Sequence, residues 1–279
     1  MKDKINNIIL VPTDFSEVCE NATNQAAEAA RFFKYELYLL HVIDKNTNAY
    51  LKNENLGIDS IYSRLQKIAD GLTAEFGIEV KIKVEDGDIF TTISSVAQHL
   101  GAKLVYLGTH GKVGMQKLTG SFALKVITES PAPVIVVQKR KFDKGFRNIL
   151  LPITSDAGPW EKTNWASFMA KQLNAKIHLF SIPGKAIEET TKTLTKYFEE
   201  NKVEYTSTTV EKSANFSQQV IDHATSNNYD LIMIMTNPDT SWTKYLLGSY
   251  DEEIIFNQSQ IPVMCINPRK YNWEKITKY

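Results

Sequence analysis

The sequence predicts an α/β protein built from two tandem doubly wound parallel-sheet domains, each with about five strands and helices on both faces. Three observations carry this reading. Short apolar runs alternate with amphipathic stretches along the chain, the β-α-β order that needs right-handed crossovers. The apolar runs are mostly continuous rather than alternating, which marks strands covered on both faces, as in a parallel sheet. The whole series then occurs a second time.

In the first copy the opening strand is Ile8–Val11. A helical stripe follows at Ala22, Ala26, Ala29, Ala30 and Phe33. Next come a strand over Leu37–Val42, a helix from about Ser60 to Phe76 and a strand over Val80–Val84. A helix over Thr91–Leu100 leads to a strand over Leu104–Gly108. A glycine-rich loop then leads to a helix from about Ser121, and Val134–Val137 closes the copy. Ligands of such sheets sit at the carboxyl ends of the strands, near the point where strand order reverses.

The second copy repeats these landmarks in order. Pro12 and Pro152 stand 140 positions apart, as do Leu37–Val42 and Ile177–Ile182. Leu104–Gly108 answers to Leu231–Met235 at an offset of 127, Gly120-Ser121 to Gly248-Ser249 at 128, and Pro133–Val137 to Pro262–Ile266 at 129. The drop of 13 falls where the first copy carries a longer polar stretch, Asp44–Ile58, to which the sequence assigns no role. The copies are expected to span residues 1–140 and 145–279, joined by a short charged linker around Lys139–Phe146.

Composition excludes several classes of function. Apolar residues make up 43% of 279, enough for real cores, so disorder is not expected. Basic and acidic residues number 32 each, so net charge gives no case for nucleic acid or an acidic membrane surface. The two cysteines, Cys19 and Cys265, form no CxxC pair and support neither a disulfide framework nor a structural zinc. The apolar run near the start is too short for a secretory core, and no span approaches membrane length. A cytoplasmic location is the expectation.

Three segments of the first copy are expected to gather at the carboxyl edge of the sheet. They are Pro12-Thr13-Asp14, His41-Val42, and Gly108-Thr109-His110-Gly111 with Gly120-Ser121 after an eight-residue spacer. Glycines let phosphate oxygens approach the backbone. Gly120-Ser121 opens a helix whose free N–H groups and dipole favour an anion. Asp14 could accept from a base amino group or a ribose hydroxyl, and Val42 could flank a base with its methyls. His110 stands where it could touch phosphate. Each feature has a plainer reading. Asp14 can cap the first helix, the glycines can serve only to turn the chain, and His41 can end a buried strand with its ring hydrogen-bonded. No Ser-His-Asp set, Walker loop or paired-carboxylate site is present.

VPTDFS, LLHV and GTHG…GS, with the closing strand PAPVIVV, resemble the universal stress protein family in its tandem form, once per copy. The resemblance implies the Rossmann-like, HUP-type fold and a cytoplasmic stress-response regulator that binds ATP or another adenine nucleotide, with magnesium. Carried over by position, Asp14 would meet adenine or ribose and Val42 the adenine, while Gly108, Gly111, Gly120, Ser121 and the Phe122 backbone would meet the phosphates; Pro12, Thr13 and His110 complete the candidate nucleotide-binding set. The family's spacer before Gly-Ser has nine residues; Lys112–Thr119 has eight, which shifts the loop by about one residue, ~3.5 Å. The family also implies pairing of closing strands, here Val134–Val137 with Val263–Ile266 within one chain; a homodimer is allowed as well.

The second copy departs further. Met235 and Pro238 replace Gly108 and Gly111, and Thr154 replaces Asp14, with Asp156 two residues on. Proline has no N–H to offer a phosphate. The expectation is one binding copy and one structural copy. The alternatives are a scaffold whose loop binds nothing, and a slow nucleotide hydrolase, which the missing HIGH-type motif of adenylating proteins disfavours.

Overall fold

The computed structural model describes residues 7–110, 120–141, 145–153, 159–211, 215–236 and 249–267. The chain divides into two compact units, Met1–Lys141 and Phe142–Tyr279.

In the first unit the elements run β1 (Ile8–Pro12), α1 (Glu17–Phe33), β2 (Glu36–Ile43), α2 (Lys45–Asn53), α3 (Asp59–Phe76), β3 (Val80–Asp86), α4 (Ile89–Leu100), β4 (Leu104–Gly108), α5 (Gly120–Glu129) and β5 (Val134–Val137). The strands lie in the order β3-β2-β1-β4-β5. All pairings among them are parallel; Leu10 of β1 sits opposite Tyr38 on one side and Val105 on the other. The chain builds outward from β1 in one direction and returns to add β4 and β5 on the other side. The carboxyl ends of β1 and β4 therefore flank the reversal point.

Burial follows position in the sheet. Every residue of β1, β4 and β5 is buried. At the outer edge, β3 (VKIKVED) is half-exposed and alternates apolar with charged residues, so the expectation of continuous burial does not extend to it. Charges on an edge strand discourage pairing with another chain; here Lys81 pairs with Glu36 at 3.0 Å and Lys83 with Glu85 at 2.6 Å. The inner stripe of α1 is built from small residues, and Ala22, Ala26 and Ala30 are each fully buried.

One helix of this unit has no counterpart in the expected element order. Asp44–Ile58 folds into α2 and a turn. The Asp44 side chain caps α2 by accepting from the Thr47 N–H at 2.8 Å. Only Thr47 and Leu51 of α2 are buried, which is why its sequence reads as polar. Among the described residues the exposed large apolar side chains, Tyr50, Leu56, Ile58 and Tyr62, all fall between α2 and the start of α3.

The second unit repeats the plan with β6 (Asn148–Ile153), α6 (Pro159–Leu173), β7 (Lys176–Ser181), α7 (Lys185–Glu200), β8 (Tyr205–Thr209), α8 (Phe216–Ser226), β9 (Leu231–Met235), α9 (Ser249–Ile255) and β10 (Val263–Ile266). Its strand order is β8-β7-β6-β9-β10, all parallel. A single helix joins β7 to β8, where the first unit uses two. Small details recur at matching places. The Thr109 N–H donates to the Val137 carbonyl and the Thr236 N–H to the Ile266 carbonyl, both at 2.9 Å. No helix among the described residues is long and apolar enough to cross a membrane.

Candidate functional site

A cavity of about 140 Å³ opens at the carboxyl ends of β1 and β2 in the first unit. The turn after β1 supplies Pro12, Thr13, Asp14 and Phe15; the end of β2 supplies His41 and Val42; α2, α3 and α4 supply Tyr50, Arg64 and Ile93 among others.

The turn after β1 is fixed by its own side chains. The Thr13 N–H donates to the Leu40 carbonyl at 2.8 Å, which carries the β1–β2 ladder one residue past the strand. The Thr13 hydroxyl accepts from the Phe15 N–H at 3.0 Å, and Asp14 Oδ1 accepts from the Ser16 N–H at 2.9 Å. These are the local bonds by which Thr and Asp shape turns. They hold Phe15 at φ +66°, a left-handed conformation uncommon for a bulky residue. The N-cap of α1 is Ser16, so Asp14 organises the turn ahead of the helix rather than capping it.

Phe15 packs against two cavity residues. Its ring lies on His41 with centroids 4.7 Å apart and 21° between planes. The Arg64 guanidinium lies 4.2 Å from the Phe15 centroid. His41 is buried, and its tautomer follows from its partners. Nδ1 stands 2.8 Å from the Thr13 carbonyl, which can only accept, so Nδ1 carries the proton. Nε2 is then left as an acceptor, 3.3 Å from the Thr47 hydroxyl. His41 thus ties β1, β2 and α2 together.

Cys19, in the first turn of α1, forms part of the cavity wall. Burial pushes its thiol up to about 12, and the nearby Asp14 charge pushes in the same direction. A thiol so placed stays protonated at neutral pH and is no nucleophile. Among the described residues no group of three His, Cys, Asp or Glu side chains comes together to hold a metal ion.

Four sequence-predicted residues, Pro12, Thr13, Asp14 and Val42, therefore line one cavity. Gly108 ends β4, and its surroundings give a packing reason for glycine. A Cβ there would lie 2.6 Å from the Val18 carbonyl oxygen, 2.8 Å from its carbon and 2.9 Å from Cys19 Cα. The α1 backbone sits directly on β4 at this point. His110 is half-exposed just beyond the strand. Gly120, Ser121 and Phe122 form the first turn of α5, but their side chains, with Gly111, Lys112–Thr119, Thr154, Asp156, Pro238 and Gly248, lie outside the described residues. Among the described residues the cavity takes no lining from β4 or α5.

The sequence reading missed Phe15, Arg64 and Tyr50. Phe15 was legible as the residue after an Asp in a tight turn; Arg64 and Tyr50 carry no local signal, because the fold alone brings them to residue 15. It also missed Lys162 of α6. This lysine is only 6% exposed, and its ammonium donates to the Pro152 carbonyl at the end of β6. Burial lowers it to about 8, against the opposing pull of Asp251. The signal was available in the repeat, since Lys162 aligns at offset 140 with the buried Ala22.

A family model described as the universal stress protein family matches residues 6–138, the first copy. Universal stress protein MJ0531 of Methanocaldococcus jannaschii is 32% identical over 143 residues, which cover 48% of this chain and 82% of that protein. Universal stress protein Sll1654 of Synechocystis is 31% identical over 133 residues, covering 46% of this chain and 83% of the relative. Among solved structures, a universal stress protein from Archaeoglobus fulgidus superposes with a TM-score of 0.76 at 17% identity, over 94% of this chain and 98% of that one. That likeness speaks for the fold alone.

Proposed function

The chain belongs to the universal stress protein family, and we propose that its first copy binds an adenine nucleotide while the second serves as a structural domain without one. The protein then acts as a nucleotide-responsive regulator rather than a catalyst of substantial turnover. The observation that carries this reading is the cavity itself, which gathers Pro12, Thr13, Asp14 and Val42 at the carboxyl edge of a doubly wound sheet. Its apolar walls suit a planar base, with the Val42 methyls against the ring. Asp14 would accept from the base amino group or a ribose hydroxyl. The phosphates would extend toward the start of α5, where the free N–H groups of Gly120, Ser121 and Phe122 and the helix dipole favour an anion. Magnesium would arrive with the phosphates as their counter-ion, since no metal-holding cluster exists among the described residues.

One observation favours a second reading, a scaffold that binds no nucleotide. Gly108, a member of the glycine motif, is already required by the close approach of α1. Its presence therefore supports a ligand less strongly than its place in the motif implies.

Calorimetric titration of the full chain with ATP, ADP and AMP separates the two. Saturable binding tighter than about 1 mM, near −4 kcal/mol, that weakens in Asp14→Ala and in Gly120→Val is the expected result. Absent or weaker binding in the parent protein establishes the scaffold. Phosphate release measured alongside identifies turnover, and a thermal unfolding control on each variant separates lost binding from lost folding.

A further inference from the structure

We infer that Arg64 is a specificity-determining residue of the first-copy cavity, donating a hydrogen bond to a ring nitrogen of the bound base. The inference rests on the nucleotide reading above and assigns the base end of the site to α3.

Four observations converge on Arg64. It lines the cavity from the α3 side. It shares that lining with Asp14 and Val42, the residues placed against the base, so Arg64 stands at the base end. Its guanidinium is held by the Phe15 ring at 4.2 Å, and Phe15 is itself fixed by the Thr13 and Asp14 turn. Among the described residues, Arg64 has no carboxylate partner and no hydrogen bond. A guanidinium presents five donors in one plane. The cation–π contact with Phe15 uses none of those donors in a hydrogen bond and leaves them for an acceptor.

Charge argues for a ring nitrogen rather than a second phosphate. Asp14 and Asp44 also line the cavity, and His41 has both ring nitrogens engaged within the protein. Two carboxylates against one guanidinium disfavour an anionic group at this end. They favour a neutral ring that offers an amino donor and ring-nitrogen acceptors side by side, the pattern on both polar edges of adenine. Phe15 is already engaged by the His41 ring and the Arg64 guanidinium, which leaves its ring little surface for stacking on the base. Recognition therefore falls to the guanidinium edge and the apolar walls. Phe15 is a positioning residue that acts through Arg64.

The test is a cycle between protein and ligand. ATP, 1-deaza-ATP and 7-deaza-ATP are titrated against the full-length parent protein and against Arg64→Met, which keeps the length of the stem and removes the donors. Arg64 is exposed, so the variant should fold, and thermal unfolding checks that it does. The expected result is about a tenfold loss of ATP affinity in the variant, the worth of one hydrogen bond to a charged donor. One of the two deaza analogues should cost the parent a similar factor and cost the variant nothing further. Phe15→Leu should give a smaller loss in the same direction. Equal ATP affinity in parent and variant overturns the role of Arg64 while leaving nucleotide binding in place. Additive losses with both analogues overturn it as well. No ATP binding in the parent overturns the nucleotide reading and this inference together.

Discussion

Gly108→Ala isolates the packing role of the glycine at the end of β4. Gly108 does not have a left-handed backbone, so alanine suits its conformation; only space forbids the side chain. The new Cβ would sit 2.6 Å from the Val18 carbonyl oxygen and 2.9 Å from Cys19 Cα. Ordinary heavy-atom contact begins near ~3.5 Å, so α1 must recede by roughly 0.9 Å. The clashing atoms belong to a helix backbone and cannot swing aside as a side chain would. Overpacking of this kind costs up to ~3 kcal/mol, and the stiffer unfolded chain of the variant returns about 0.5 kcal/mol. The net expectation is about 2.5 kcal/mol. For a unit of this size that lowers Tm by roughly 5–12 °C. Differential scanning calorimetry and urea unfolding of the full chain measure it. Gly71→Ala is the matched control: Gly71 lies inside α3 with nothing within 4 Å of its added Cβ, and it should stabilise the protein by about 0.5–1 kcal/mol. A Gly108→Ala protein that unfolds within about 0.5 kcal/mol of the parent, the ordinary scatter of surface substitutions, would refute the packing argument and return Gly108 to a purely ligand-facing role.

Two further expectations concern the second unit. Burial, then the nearby Lys176 and His223, lower His178 to about 4, so it stays neutral in the fold while the unfolded chain takes a proton near pH ~6.5. Stability is then lost as pH falls from about 6.5 toward 4, by up to roughly 3 kcal/mol; His178→Asn should flatten that slope in urea midpoints measured across this range, and an unchanged slope would count against the assignment. Lys162, lowered to about 8 by burial, is charged in the fold at pH 7 at a cost, so stability should rise between about pH 8 and 10.5 as the native lysine loses its proton first. Lys162→Met should remove that rise and stabilise the protein at pH 7 by about 1–2 kcal/mol, the gain being reduced by loss of the hydrogen bond to the Pro152 carbonyl; a lower urea midpoint in the variant would contradict this.

The strands at the centre of each sheet were legible because covering a strand on both faces leaves a continuous apolar run, as in Leu104–Gly108 and Leu231–Met235. The edge strand β3 was legible in position but not in character, since Lys81 and Lys83 face solvent on a strand the sheet covers only in part. Helix α2 was not legible. It buries only Thr47 and Leu51, and a helix held mainly by one cap and two contacts leaves almost no periodic trace. Pro12, Thr13, Asp14 and Val42 could be found because they follow directly on strand ends, where chain order fixes position in space. Arg64 and Tyr50 could not, because their approach to Phe15 depends on where α2 and α3 settle over the sheet edge.

The two copies differ beneath the sheet edge as well as at the motif positions. In the first, Gly108 and the fully buried Ala22 are both small, and the backbone of α1 lies directly against the end of β4. That contact places Cys19 in the cavity wall and sets where the Asp14–Phe15 turn enters the helix. In the second copy the matching positions carry Met235 and Lys162. In the first copy even a single Cβ at the Gly108 position would meet the α1 backbone, so the same close approach of α6 to β9 is not expected where Met235 stands. Lys162 instead uses its length to reach the Pro152 carbonyl at the strand end, the corner from which Asp14 leaves in the first copy. Replacing Thr154 by Asp would restore the acidic residue of the motif without restoring the helix approach beneath it. On the proposed reading, in which the second copy carries no ligand, building a site there would take small residues at 162 and 235 first, and the motif residues only after them.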